Sequence, residues 1–426
     1  MSYPQDVKVI TTVDFSSGAI FGYAFILGDP SYGILGTDVL ADAASQVVDV
    51  SSQTTNISLA GGYNLLQDQF QATIAKIKVV DPNGDWNPQN TASPYYGKLT
   101  PNRKIRVAAT YAGVTYNLFS GYISAYDYTY PKDQDIGYVQ LTASDGFRLM
   151  SLANVQTVAG ATAGQDTGTR INAILDAIGW PASLRAIDTG GTETLCQADP
   201  ATQRTGLQAL KQVEATEQGG FYVNGSGQAT FRSRAYIMAK SGQNPTVFAN
   251  DGTGINYKNI VFANDDKLII NNSTFQNVGG TPQTATDLNS VAKYFAHSFS
   301  SQSLVGQTDT DANNVARIYT ATRAETSLRI DAMTLDLTTP NYAAGIIAAL
   351  TLDYFDTVKI TNVGQTTTTG GDSTIVKTLQ VMGNAYEITP NSFNVTFTTS
   401  EPIVGSFILN SAIYGVLDDY NSVLAY

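Results

Sequence analysis

Asp81-Pro82-Asn83-Gly84-Asp85-Trp86-Asn87-Pro88, then Thr91-Ala92-Ser93-Pro94-Tyr95-Tyr96-Gly97-Lys98-Leu99-Thr100-Pro101-Asn102-Arg103-Lys104-Ile105-Arg106-Val107, is the stretch whose reading decides the fold. Pro82, Pro88, Pro94 and Pro101 exclude a helix across it, because proline lacks the amide hydrogen and clashes with the preceding turn. Trp86, Tyr95, Tyr96 and Leu99 make it too apolar for a merely solvated loop. It therefore reads as a long ordered excursion between strands, of the kind that is usually functional or interfacial. On its left, residues 72–80 alternate: Ile74, Lys76 and Lys78 share one face, and Ala75, Ile77 and Val79 the other. On its right, Lys104–Val107 resumes a strand and Gly113 punctuates a hairpin into Tyr116–Ile123. With strand signals at Val7, Val9 and Thr11, at Ile57 and Leu59, and at 136–143, residues 1–155 read as an antiparallel β-barrel-like domain.

The period then changes. Residues 160–168 are small and polar, a linker. Ile171, Ile174, Leu175 and Ile178 fall at helical spacing, with Thr167 or Thr169 as N-cap and Gly179 as the stop. A second helix over Thr205–Glu217 presents Leu207, Leu210 and Val213. The Asn224-Gly225-Ser226-Gly227 turn follows as the centre of a hairpin. Residues 160–235 are thus a small α+β module. From Ile255 the β pattern returns, interrupted by predicted helices over Ala285–His297 and Asp311–Thr322. Strands follow at 327–337, 357–363, 374–382, 384–389 and 392–399, where Phe393, Val395 and Phe397 alternate with Asn394, Thr396 and Thr398. The expected fold class is mainly β with an α+β insertion. Two antiparallel β-barrel-like tube domains, 1–155 and 236–403, flank the module, and 404–426 form a C-terminal arm.

Of the 426 residues only 14% are charged, against roughly 25% in ordinary soluble domains. Tyr, Gly, Thr, Ser and Asn take their place, a mixture suited to β structure and assembled surfaces. The net charge of −12 argues against a surface that grips nucleic acid by neutralising phosphates. Cys196 is alone, so no internal disulfide is expected. The start of the chain lacks the basic and apolar parts of a signal peptide, and the apolar runs near 19–27 and 342–352 are too short to span a bilayer. The expectation is a soluble protein made in a cytoplasm.

The usual chemistry of enzymes is missing. His297 is the single histidine; with no nucleophile motif beside it, it reads as a surface or helix-end residue. Asp81–Asn87 begins like a calcium loop, but Trp86 stands where the glycine belongs and Ala92 where the bidentate glutamate belongs, so a plain Asn-Gly turn is favoured. Asp265/Asp266 and Asp418/Asp419 read as solvated turns, not glycosidase carboxylates. Gly225-Ser226-Gly227 and Gly370-Gly371 lack the context of a phosphate loop. Lys104 and Arg106 read as a strand face, not a nucleic-acid patch. Neither enzyme, cofactor nor metal site is expected. Tyr95 and Tyr96 are read either as aromatic anchors at a subunit interface or as rings that close the bottom of the barrel.

Several stretches, in one order along nearly the whole chain, resemble the minor tail or tail-tip hub (baseplate hub) proteins of long-tailed bacteriophages. They are Asn87-Pro88 through Ser93-Pro94-Tyr95-Tyr96-Gly97, Leu118–Ile123, Ala143-Ser144-Asp145-Gly146-Phe147, Ile174–Pro181 and Glu217–Val223. The resemblance implies a structural virion protein at the distal end of the tail tube, assembled as a homotrimer. Two β domains per chain would then give six around a lumen through which genomic DNA passes without specific binding. Its partners would be tail tube proteins on one side and tail fibre or tip proteins on the other. The alternative is a receptor- or carbohydrate-binding tail-tip protein with Trp86, Tyr95 and Tyr96 as stacking platforms. Tyr32-Gly33-Ile34-Leu35 and Tyr414-Gly415-Val416-Leu417 match each other and read either as a chance likeness with local core packing or as two docking arms. Tyr32, Ile34, Leu35, Trp86, Tyr95, Tyr96, Tyr414, Val416 and Leu417 are the candidate interface residues.

Overall fold

The alternation of residues 72–80 becomes the two faces of a sheet. The structure, a computed structural model, describes residues 7–15, 46–65, 67–130, 136–189, 194–364, 373–402, 405–406 and 422–423. In β4 (Gln69–Asp81), Ala75, Ile77 and Val79 are buried, while Ile74 and Lys76 are exposed and Lys78 half-buried on the opposite face. It is joined by β1 (Lys8–Asp14), β2 (Val47–Asp49), β3 (Thr54–Asn64), β5 (Lys104–Tyr111), β6 (Val114–Thr129) and β7 (Gly137–Ser144). Their order is β2-β1-β5-β6-β7-β4-β3, antiparallel throughout.

The chain then leaves the sheet to build the α+β module. Its elements are α1 (Phe147–Leu152), β8 (Asn154–Val155), β9 (Gln165–Asp166), α2 (Thr167–Ala177), β10 (Arg185–Ile187), β11 (Leu195–Cys196), β12 (Arg204–Thr205), α3 (Gly206–Glu217), β13 (Gly220–Val223), β14 (Ala229–Arg232) and α4 (Arg234–Ser241). The predicted apolar stripes meet in one core: Ile171, Ile174 and Leu175 of α2, Leu210 and Val213 of α3, and Phe147, Trp180, Phe221 and Phe231. The N-cap of α2 is Asp166, not Thr167 or Thr169, since its carboxylate accepts the Thr169 amide at 2.8 Å. Thr205 and Gln208 form a reciprocal capping box on α3.

The second half contributes β15 (Thr246–Ala249), β16 (Asn259–Ala263), β20 (Arg329–Asp336), α7 (Ala343–Thr351), β21 (Thr357–Asn362), β22 (Ile375–Thr389) and β23 (Ser392–Ser400). Between β16 and β20 hangs a satellite of β17 (Asn272–Asn277), β18 (Gln283–Thr286), α5 (Leu288–Tyr294), β19 (Ser298–Leu304) and α6 (Asp309–Arg323). The predicted helix over Ala285–His297 is shorter than expected, because Gln283–Thr286 pair with β17 and Asp287 caps the helix start. Phe275, Val315 and Tyr319 make the satellite's own core. Arg323 ties it to the main sheet: the guanidinium meets Asp68 at 2.6 Å, and the Tyr63 hydroxyl donates to the same carboxylate at 2.8 Å.

The two halves form one sheet. Residues 383–388 of β22 pair with 57–62 of β3, giving thirteen strands with the spine β16-β20-β23-β22-β3-β4-β7-β6-β5-β1-β2. Among the described residues this path ends at β16 and β2 without closing, so the mainly β expectation stands but no closed barrel is formed. One apolar core, from Val7 to Phe397, underlies both halves, with Ile346 and Ala349 of α7 packed into it. The junction depends on missing side chains. A Cβ on Gly62, whose φ is +138°, would lie 2.3 Å from the Gly383 Cα. Gly62→Ala should therefore cost about 3 kcal/mol by clash and backbone strain. Calorimetry should find it melting well below the parent chain, and an unchanged melt would mean the two strands are not in this register.

Buried carboxyls gather where α1, α3 and the sheet meet. Asp145 accepts the Thr73 amide at 2.7 Å and the Phe147 amide at 3.0 Å. Burial outweighs these donors and the nearby Lys211 ammonium, lifting its carboxyl from 3.8 to about 7. The folded chain thus holds this proton more tightly than the unfolded chain. Its contribution to stability is complete below 3.8 and is lost as pH climbs to about 7. Carboxyls held low by partners, such as Glu401 beside Lys377, act below the ordinary carboxylate range. Between about pH 5 and about pH 7 the melting temperature should accordingly fall as pH rises, and Asp145→Asn should flatten that slope.

Candidate functional site

Because one side of the long sheet faces the core, the other is a wet surface that crosses both halves from β20 to the Ala125 end of β6; beyond it Tyr122, Lys104 and Asp14, in register on that side, are buried. Register places its side chains in rows. One row reads Asp336, Asn394, Glu387, Ser58, Lys76, Thr142 and Ala125, one residue from each of β20, β23, β22, β3, β4, β7 and β6. The next row reads Asn259, Thr334, Thr396, Ala385, Ala60, Ile74 and Ser144, and ends at the buried Tyr122. Hydroxyls, amides and methyl groups dominate both rows. Strands stand about 4.8 Å apart, so the seven-strand row crosses roughly 29 Å of surface.

Charges on this face occur as opposed neighbours. Glu387 accepts the Ser58 hydroxyl at 2.5 Å, with Lys76 next to Ser58 in the same row. Lys258 meets Asp336 at 3.0 Å and also donates to Asn394 at 3.0 Å. Lys78 and Asp127 flank Gln140, and the Lys78 ammonium lies 3.7 Å from the centre of the Tyr138 ring. Thr334 and Thr396 bond to each other at 2.9 Å. The face is polar and close to neutral, with no run of cations along it.

The proline-rich loop, residues 82–103, lies elsewhere and is built inward. Asp81 accepts the amides of Asp85 and Trp86 at 2.7 and 3.2 Å and the Tyr130 hydroxyl at 2.9 Å. Its oxygens thus organise the turn, as the Asn-Gly reading requires. Ser93 donates to the Asp85 carbonyl. Trp86 and Tyr95 are 1% and 9% exposed and pack on Phe15, Tyr95 stacking at 4.7 Å and Trp86 tilted at 5.9 Å. This corrects the reading of those two rings as interface anchors or sugar platforms: they close the end of the core beside β1. Tyr96, in contrast, is 50% exposed. Tyr32, Ile34, Leu35, Tyr414, Val416 and Leu417, and with them both docking arms, lie outside the described residues.

Of the remaining candidates, His297 sits just past α5 with Nε2 3.1 Å from the Tyr294 carbonyl oxygen, the helix-end position expected. Lys104, paired in register with Asp14, is buried in the sheet. Asp265 binds Arg329 at 3.1 Å and Lys267 at 3.3 Å. Among the described residues no helix is long and apolar enough to cross a membrane, and no group of three or more His, Cys, Asp or Glu side chains is arranged to hold a metal. Alternation in the sequence reveals the wet faces of β4 and β23 separately; that one row joins them is visible only in the fold.

No family model matches the chain, and no curated protein matches it by sequence. Solved structures do match its fold. The tail protein from Neisseria meningitidis MC58 aligns over 93% of this chain and 96% of its own, at 10% identity and a TM-score of 0.54. The 43 kDa tail protein of prophage MuSo2 from Shewanella oneidensis aligns over 93% of this chain and 99% of its own, at 10% identity and a TM-score of 0.55. The chain thus has, over nearly its whole length, the fold of phage tail proteins.

The two kinds of aromatic in the loop separate in a simple experiment. Trp86→Ala should cost about 3–5 kcal/mol, as an emptied core site does, whereas Tyr96→Ala should stay within about 0.5 kcal/mol. Thermal melts of the two variants check this; equal effects would contradict the packing of the loop.

Proposed function

We propose that this chain is a structural tail protein, a hub that closes as a three-fold ring with the wet face of the long sheet turned to the lumen. What carries the reading is that face. It runs from β20 in one half to β6 in the other, polar, near neutral, and backed by a single core, as a channel wall must be. DNA sliding along such a wall meets hydroxyls and internally compensated charges, so few phosphates are neutralised and little counterion release holds it back. The two halves of the sheet supply two wall segments per chain and six per trimer, which matches a six-fold tube without a mismatch of symmetry. Ring contacts between identical chains are heterologous, so opposite edges of each chain carry complementary surfaces.

The likeness of fold to tail proteins supports a place in the virion tail, between tube proteins and the fibre or tip proteins beyond. The role is one of assembly and passage, without catalysis. The carbohydrate-binding alternative loses two of its three platforms, since Trp86 and Tyr95 are buried.

Purified chain at micromolar concentration should form rings with a central hole in negative-stain images and the mass of a trimer in solution. Ser58→Cys and Thr396→Cys should react with a small maleimide in the ring but slowly with a long polyethylene-glycol maleimide. A stable monomer, or equal access of both reagents in the assembled ring, would overturn the reading.

A further inference from the structure

α5 turns an apolar face to solvent. Leu288 and Phe295, two helical turns apart, are 76% and 82% exposed, with exposed Ala292 between them. The fold gains little from either side chain, yet its backbone is bent to present them. Phe295 has φ 67° and ψ 175°, a conformation suited to glycine and costly for any residue with a Cβ. Asn271, wholly buried, holds it there: its amide donates to the Phe295 carbonyl at 2.8 Å and to the Ser290 hydroxyl at 3.1 Å, while its oxygen accepts the His297 amide at 2.8 Å. Strain maintained around an exposed ring points to use of that ring.

The knob stands at one end of the long sheet. Ser290 donates to the Ala324 carbonyl at 2.5 Å, and Lys293 and Tyr294 reach Glu325 at 2.6 and 2.8 Å. Thr326 donates to the Asp265 carbonyl at 2.8 Å, and Asp265 binds Arg329, the first residue of β20, at 3.1 Å. A short chain of bonds therefore fixes α5 beside β16 and β20. The terminal strand β16 is only five residues long, a short edge for backbone pairing, and a bulge at Asp331 of the neighbouring β20, opposite Val261 and Phe262, twists the sheet there. Whatever abuts the sheet at this edge must be held by side chains. The Lys293–Glu325 pair leaves the rim of the knob without net charge to desolvate.

We propose that Leu288 and Phe295 dock against a second copy of this chain at the β16 end of the sheet and lock the ring; the inference rests on the ring reading above. An identical chain is the occupant because, in the ring, this edge of a sheet that among the described residues is open at both ends meets its neighbour, and the knob is carried there by the two strands that flank the satellite.

Phe295→Gly tests it cleanly, because glycine relaxes the backbone while removing the ring. This variant should melt at or above the parent temperature, yet need about ten-fold or more higher concentration to assemble, as loss of a buried aromatic anchor does. Leu288→Lys should weaken assembly likewise. Mass photometry over a concentration series reads both. If the parent forms rings and both variants do so at the same concentration, the knob proposal is overturned and the ring stands. A defect of the variants confined to binding another tail protein overturns the knob proposal in the same way. A parent that stays monomeric at every concentration overturns both.

Discussion

Backbone meets backbone where Gly62 and Gly383 face each other. Ladder bulges flank this point on both sides, one in β4, where Ala72 and Thr73 oppose Gly61, and one at Met382 in β22. Without side chains the two strands nest; with them they would stand apart, and the halves of the chain would be separate sheets, each with two raw edges. Everything else follows from that union. The core becomes continuous, the rows of the wet face run from one half to the other, and the α+β module and the satellite are hung from a common frame. β21 then continues along the edge of β22 beyond the bulge, pairing with residues 375–380.

The low charge of the chain is intelligible once that surface is known. A sheet with one dry face ordinarily dresses the other in lysine and glutamate. Here the rows hold Ser58, Thr142, Thr334, Thr396 and Asn394, and the few ions on them are compensated by neighbours. Charge is concentrated instead at internal joints: Arg323 with Asp68 under the satellite, Arg204 with Asp199 in the module, and Lys240 with Asp356 between α4 and the sheet. These sites are half-buried or buried, where pairing is needed to offset desolvation.

Elements whose sequence carries a period were legible. β4 and β23 alternate, α2 and α3 repeat at helical spacing, and all four lie as read, because each has one dry face and one wet one. α7 was not legible: Ala343–Thr351 is apolar nearly all round, lies against the core, and so has no period to detect. α1 and α4 are too short to display one. The start of α5 was mistaken because Ala285 continues the apolar spacing of the helix while its backbone belongs to β18. The β3–β22 pairing was out of reach for a different reason. It joins residues more than 300 positions apart, and its signal is the absence of side chains at Gly61, Gly62 and Gly383, which a sequence offers equally as turn glycines.

The candidate site divides along the same line. Aromatic residues in a long loop can face inward or outward, and residue type does not distinguish the two. Trp86 and Tyr95 went inward because β1 is followed directly by Phe15, whose ring packs on both of theirs, so three aromatic surfaces leave water together. Phe295 has no such receiver. Its neighbours in the fold are the Asn271 amide and the start of a strand, and its backbone is held away from the relaxed conformation that would let it fold back. A buried polar residue that fixes an exposed apolar one reverses the usual order of a protein interior. That reversal has a physical rationale only if the ring is covered by another molecule, since alone it bears both strain and hydration.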